Sequence, residues 1–236
     1  VHLSTMDEVY IKSLMERNVT ALAFEYLKDD FGTFPMVRSM SEIAGNASIL
    51  ISAECLNSFN GGKGLLLGGI AGVSTTNILI IGAGTVGEFA ARSAKSLGCS
   101  VKIFDNSLYK LRRIQDKIGI RLDNSMIHPK ALEKAIRRAD VVIGAIRVKN
   151  DRTPCIVNEE MVKMMKPLSV IVDVSIDRGG CFETSEVTTH DNPTFVKHGV
   201  IHYCVPNIPS RMARTASFAL SNIFAALFLK IANLGG

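Results

Sequence analysis

Three glycines, Gly82, Gly84 and Gly87, stand in the spacing G-x-G-x-x-G directly after the apolar run Ile78, Leu79, Ile80, Ile81. Asp105 follows at the end of a second apolar run, 18 residues beyond Gly87. Each position has its own physical task. The first glycine permits a tight turn, the second lets backbone come close to a ligand, and the third lets a helix pack on a strand. The helix that begins here, at Thr85 and Val86, offers free N–H groups and a positive dipole end, which suit a pyrophosphate. A carboxylate at the position of Asp105 accepts hydrogen bonds from ribose hydroxyls, and a 2′-phosphate there would meet like charge. The set describes a dinucleotide site for NAD rather than NADP. A glycine motif alone is a weak sign; strand, glycines, helix, strand and acid in register are specific. Gly82, Gly84, Thr85, Val86, Gly87 and Asp105 are therefore read as cofactor-binding.

Further along, ADVVIGAI (139–146) has the form of the next strand of such a unit. Ligands sit outside the carboxyl ends of these strands, so the end of this one is expected over the nicotinamide half, with Ala145 and Ile146 either touching it or simply buried. VIVDVSIDRGG (170–180) supplies two carboxylates. Asp173 stands in the strand body and reads as structural. Asp177, just past the strand end, faces the crevice; it could order a water, pair with an ammonium, hold a catalytic histidine or simply cap a turn. His190, His198 and His202 cluster in sequence, but their spacings run across loop and strand and no acid or cysteine pattern completes a metal site. They are read as ordinary loop and core histidines, and no metal is expected. His2 is a lone histidine in a short extended segment.

These residues need a scaffold. Apolar strands are expected at 78–81, 100–104, 119–122, 141–145, 169–174 and 200–204, alternating with helices at 85–97, 108–117, 129–138 and 158–165. Continuous apolar strands alternating with helices indicate a parallel sheet covered on both faces. Before them, Thr5 and Glu8 form a candidate capping box for a helix to about Arg17. A short strand is expected at 19–24, a turn at 29–35 and a long helix from Ser41 to about Phe59. The glycine-rich stretch 61–73 is expected to be a functional loop. A last helix is expected from about Arg211 to Ala232; its apolar part, 216–229, reads as a buried amphipathic helix too short for a span.

Composition narrows the class. The net charge of +5 is spread along the chain rather than gathered in a basic block, so nucleic acid is not the expected partner. The five cysteines are dispersed, with no C-x-x-C pair, which fits a reducing cytoplasm better than a disulfide framework or a zinc site. The chain opens at Val1 without an initiator methionine and is expected to be a piece of a longer protein.

The runs GGKGLLLGGIAGV, GAGTVG, ADVVIGAI, MKPLSVIVDVSIDRGGCFETS, TTHDNPTFVKHGVIHYCV and NIPSRMARTASFALSN, with VHLS at the start and MSEIAG at 40–45, together resemble the alanine dehydrogenase family. The resemblance covers nearly the whole chain, and SIDRGGCFETS and TTHDNPTFVKHGV carry it best. It implies reversible, NAD-dependent oxidative deamination of L-alanine to pyruvate and ammonia. By position it makes His2 the catalytic proton acceptor and donor and Asp177 the catalytic aspartate beside the nicotinamide. It makes Ser41 a phosphate contact, Asp105 the ribose acid, Lys110 an adenosine-side residue and Asn207 a cofactor contact. The residues flanking Asn207, Pro206 and Ile208, depart from the family's usual Ala and Met. The family's substrate-carboxylate Arg and substrate-binding Lys have no match in the chain and are expected before Val1.

The fold implied is α/β: a Rossmann-type doubly wound parallel sheet plus the remnant of a second, discontinuous α/β substrate domain. Residues 1–40 would belong to that substrate domain, 41–210 to the NAD-binding domain, and 211–236 to a helix returning to the substrate domain. A cytoplasmic homo-oligomer, hexameric by family resemblance, is implied, with no membrane and no nucleic acid. Two rivals stand beside this reading: the NAD-binding subunit of a proton-translocating transhydrogenase, and an NAD-binding fragment that is inactive alone. The IDRGG, TTHDNP and KHGV set together with His2 favours the amino-acid enzyme.

Overall fold

A computed structural model describes residues 6–119, 121–147 and 152–233. In chain order the elements are α1 (Glu8–Glu16), α2 (Pro35–Leu56), β1 (Asn77–Ile81), α3 (Thr85–Ser96), β2 (Ser100–Phe104), α4 (Leu108–Ile118), β3 (Asp123–Ser125), α5 (Pro129–Ile136), β4 (Val141–Gly144), α6 (Glu159–Lys163), β5 (Val170–Asp173), β6 (Thr194–Lys197), β7 (Val200–Tyr203) and α7 (Ala213–Asn233). They divide into two compact units, residues 42–212 and residues 1–41 with 213–236.

The larger unit is a seven-stranded sheet in the order β3-β2-β1-β4-β5-β7-β6. All neighbours are parallel except β6 and β7. The strands are apolar on both faces because both faces are covered. Ile78 and Ile80 of β1, Val141 and Ile143 of β4, and Val170 and Val172 of β5 enter one core with α2, α3 and α4. Leu79, Ile81, Val142 and Ile171 enter the other core with α5 and α6. The helices start where their sequences cap them. Ser107 Oγ accepts from the Lys110 N–H, Asn158 Oδ1 accepts from the Met161 N–H, and Pro129 opens α5. Strand order reverses between β1 and β4, which creates a crevice at their carboxyl ends.

Several expectations are corrected. The glycine-rich stretch 61–73 lies at the other edge of the sheet, by the amino ends of β1 and β4. Lys63 Nζ bonds Asp140 Oδ1 at 2.8 Å, just before β4, and Asp140 Oδ2 accepts from the N–H of Asn77, the first residue of β1. A Cβ on Gly68 would stand 1.8 Å from Leu97 O, so glycine serves close backbone packing there. The third strand is at Asp123–Ser125, not 119–122: Gly119, at φ 69°, closes α4, and the Leu122 N–H goes to Gln115 Oε1 instead of a ladder. β6 was not expected at all. His198 and Gly199, at φ 53° and 72°, form a two-residue turn that folds it back on β7. α2 begins six residues before Ser41, at Pro35, a residue favoured in a first helical turn.

Among its described residues the smaller unit is helical. Residues 19–24 form no strand; a 3₁₀ turn, Phe24–Tyr26, stands at their end. Phe24 meets Phe224 edge-on at 6.1 Å, and Phe224 stacks on Phe228. Asp7 caps α1 by accepting from the Tyr10 N–H, while Thr5, the expected cap, lies outside the described residues. Asp29 holds the 29–35 turn by accepting from the Phe31 and Thr33 N–H groups. The expectation of a buried last helix fails, because only Ala216 of α7 is buried. Its side chains are apolar most of the way round, and the short segments of this unit cover few of them. By length and composition alone the stretch Ile208–Asn233, whose most apolar 18-residue window has a mean hydropathy of 1.6, could cross a membrane.

Candidate dinucleotide site

At the carboxyl end of β1 the chain turns at Gly82, whose φ of 115° favours glycine. A Cβ there would lie 2.4 Å from Ala145 O, so the glycine turn is pressed against the residue that follows β4. Ala145 N–H donates to Ile81 O at 2.8 Å and Gly82 N–H to Phe104 O at 2.7 Å, which locks the three strand ends together. Gly84 precedes α3 and has open space on its Cβ side. Gly87, in the first turn of α3, would place a Cβ 1.9 Å from Gly82 O. Gly87 therefore serves packing, and Gly84 leaves room for a ligand to reach the backbone. Thr85 and Val86 open α3, where N–H groups lack partners within the helix.

Asp105, nearly buried, follows β2. Its Oδ2 accepts from the Ala83 N–H at 2.7 Å and its Oδ1 from the Ser107 N–H at 2.8 Å. Lys110 Nζ stands 3.6 Å from Oδ2. Sequence reasoning missed the support behind this turn. Arg113 of α4 donates to Ala83 O at 3.1 Å and also meets the buried Glu88 of α3 at 3.7 Å, which Arg92 and Lys117 flank. The available sign was a lone acid on an otherwise small-residue face of α3, opposite a basic pair four apart on α4.

Gly82, Gly84, Thr85, Val86, Gly87, Asp105, Lys110, Ala145 and Ile146 thus share one edge of the sheet. Asp177 joins that edge on the 3₁₀ turn Ile176–Arg178 after β5, with its side chain exposed. Ser175, before it, donates through Oγ to Ile146 O at 2.9 Å. Asn207 follows β7 in left-handed conformation, φ 55°, and its carbonyl accepts from the Ser210 N–H and hydroxyl. Ser41 lies in the smaller unit, on α2, and donates to Val37 O at 2.7 Å. In the larger unit Gly45 of α2 lies so close to α3 that a Cβ would meet Val86 O at 2.5 Å. His2 lies outside the described residues.

The geometry fits NAD. The open Cβ side of Gly84, the start of α3 and the adjoining carboxylate of Asp105 lie together on neighbouring strands, groups of the kinds that a pyrophosphate and a ribose would need. The histidines have other tasks. His202 is buried against Phe195; its Nδ1 donates to Val200 O and its Nε2 accepts from the Thr184 hydroxyl, and burial pushes its pKa down. His190 bonds Ser210, and His198 pairs with Glu159. Among the described residues no three His, Cys, Asp or Glu side chains gather as a metal site.

Comparison with known proteins adds the following. The family model for the C-terminal domain of alanine dehydrogenase/PNT matches residues 48–236. An alanine dehydrogenase of Geobacillus stearothermophilus is 41% identical over all 236 residues. A solved L-alanine dehydrogenase superposes with a TM-score of 0.92 at 38% identity over 97% of the chain. A transhydrogenase from Sinorhizobium meliloti superposes at 0.76 over 90% of the chain and 62% of its own, with 22% identity, a likeness of fold alone. The chain spans 63% of the length of both the Geobacillus protein and the solved alanine dehydrogenase.

Proposed function

The chain belongs to the alanine dehydrogenase/PNT family, and on that premise we propose that it carries the NAD site of an enzyme that reversibly converts L-alanine to pyruvate and ammonia. NAD is the cofactor the family implies. The observation that carries the reading is the glycine turn against Asp105 at the strand switch, in a chain 41% identical throughout to an alanine dehydrogenase.

When bound, NAD supplies the hydride acceptor. The start of α3 seats the pyrophosphate, Asp105 accepts from the ribose hydroxyls, and Lys110 borders the adenosine side. Ala145 and Ile146 line the path toward the nicotinamide, with Ser41 and Asn207 as further cofactor contacts. Asp177 stabilises the cationic imine that alanine becomes and orients the water that attacks it. His2 accepts and returns protons on the substrate side, a task suited to a group of ordinary pKa about 6.5. Residues 1–40 and 211–236 are read as parts of a substrate domain, and the protein as a cytoplasmic homo-oligomer.

The test is NADH formation from NAD and L-alanine by the protein that contains this chain. Alanine-dependent reduction that falls at least a hundredfold in Asp177→Asn supports the reading. NAD binding without alanine-dependent reduction overturns it in favour of a binding module or a transhydrogenase-type subunit.

A further inference from the structure

The proposed reaction leaves Asp173 without a task, although this last residue of β5 is a carboxylate with no exposed surface. Among the described residues, the groups seen to bond it are neutral. Its Oδ1 accepts from the Ser175 N–H at 3.0 Å and lies 3.9 Å from Cys181 Sγ. Its Oδ2 accepts from the Cys181 N–H at 3.0 Å and the Ser185 hydroxyl at 2.8 Å. Gly144 at the end of β4 and Gly180 crowd it so closely that a Cβ on either would stand 2.9 and 2.6 Å from its oxygens. Two strand ends and the 175–185 stretch therefore converge on one carboxylate.

That stretch carries Asp177. The N–H groups of Arg178 and Gly180 both return to Ser175 O, at 3.0 and 3.1 Å, so the turn bearing Asp177 is anchored at Ser175, whose own N–H is held by Asp173. The titratable groups facing Asp173 are the thiols of Cys181 on the turn, Cys155 on the preceding segment and Cys204 after β7. Burial pushes each thiol up, and the charge of Asp173 adds to the effect. Burial likewise pushes the Asp173 carboxyl up to about 6, against the pull of hydrogen bonds from Ser185, Cys181, Ser175 and Phe182.

We propose that Asp173 is a positioning residue: its ionised carboxylate shapes the 175–185 turn that presents Asp177 to the crevice, and protonation of Asp173 loosens that turn. The reasoning is one of donors and acceptors. Four donors converge on two oxygens, and a carboxylate accepts them all. A protonated carboxyl must donate one hydrogen itself; backbone N–H groups cannot receive it, so the Ser185 hydroxyl must turn from donor to acceptor or an N–H must give way. The role in turnover rests on the dehydrogenase reading above; the shaping of the turn does not.

The test uses amide NMR of the full chain across pH, on the wild type, Ser185→Ala and Asp173→Asn. In the wild type the Ser175, Asp177 and Cys181 amides are expected to titrate together with one midpoint near 6. Ser185→Ala, which keeps the charge and removes one donor, is expected to raise that midpoint by roughly one pH unit. Asp173→Asn is expected to abolish the transition. Amides of Ser175 and Cys181 that do not share a midpoint, or an Asp177 amide that Ser185→Ala leaves unmoved, overturn the proposal. In turnover by the whole enzyme, Ser185→Ala is expected to move the acid limb of kcat upward with KM for NAD unchanged. Loss of all alanine-dependent turnover in the wild type would sink the dehydrogenase reading while the amide titration still decides the shaping of the turn.

Discussion

Alanine at Gly87 and alanine at Gly84 should harm this protein in different ways. At Gly87 the added Cβ would stand 1.9 Å from the carbonyl oxygen of Gly82. Relief of that contact requires α3 to move by about 1 Å away from the phosphate turn, a strain of roughly 1–3 kcal/mol. Alanine returns up to about 1 kcal/mol of helix propensity, so the net loss is about 1–2 kcal/mol. For a protein of this size that lowers Tm by roughly 2–8 °C. The same shift withdraws the first N–H groups of α3 from the place proposed for the pyrophosphate. Loss of one charge-assisted hydrogen bond, roughly 1.5–3 kcal/mol, weakens NAD binding at least about tenfold. Gly84→Ala has φ −75° and open space around its Cβ, so Tm should hold within about 2 °C while NAD binding falls about as far. Thermal unfolding and calorimetric titration with NAD separate the two variants. Unchanged Tm and NAD affinity in Gly87→Ala would refute the packing argument, and tight NAD binding by Gly84→Ala would refute the assignment of the ligand's path.

Other consequences are open to measurement. Asp105→Ala removes the acceptor held by the Ala83 and Ser107 N–H groups; NAD affinity should fall about tenfold and the preference for NAD over NADP should narrow, read by titration with both. Asp140 is buried and accepts from Lys63, Lys166 and the Asn77 N–H; Asp140→Ala should cost about 1–3 kcal/mol in urea unfolding, because the Asn77 N–H loses its partner while the part-exposed ammonium groups turn to water. Burial alone would raise the Asp140 pKa, but the bonds from Lys166 and Lys63 outweigh it and hold it below the usual range; its contribution is present at neutral pH and is lost as pH falls through the lowered folded value. Asp173 has the opposite sign. Its folded value, about 6, lies above the ordinary 3.8, because the cost of burying the charge outweighs the hydrogen bonds with which the turn holds the carboxylate; the fold as a whole therefore gains from protonation even as the turn loosens, and that stabilisation is complete below 3.8 and lost as pH rises through 6. Across that window it amounts to about 3 kcal/mol, and a stability profile of Asp173→Asn should lack it.

The sheet was legible because both its faces are buried. A doubly covered parallel strand is an uninterrupted apolar run, and β1, β4 and β5 each read as one. The places of the glycine turn and Asp105 were legible because one follows an apolar strand and opens a helix and the other closes the next apolar run. β6 escaped notice because an edge strand is only half buried: Thr194, Phe195, Val196 and Lys197 mix polar and apolar residues, and the His198–Gly199 turn was the clue. The glycine-rich stretch misled because glycine serves backbone packing as readily as ligand approach, and composition does not separate the two. Glu88 and Arg113 were hidden because their pairing joins two helices across 25 residues of chain. α7 looked buried because its composition is apolar, yet burial depends on what lies against a helix as well as on its residues.

The two edges of the sheet bear on how the protein behaves at high concentration. Any edge strand offers unpaired backbone groups to a strand from another molecule, and a long flat one invites fibrillar association. Here one edge is β3, three polar residues long, with Asp123 tied to Lys102. The other is β6, four residues long, with Lys197 at its end paired to Glu186 and a tight turn directly after it. The strands richest in isoleucine and valine lie between them and are paired on both sides. Among the described residues, strand-by-strand growth thus finds short, charged templates at the sheet's edges, and exposure of the interior strands requires the sheet itself to open.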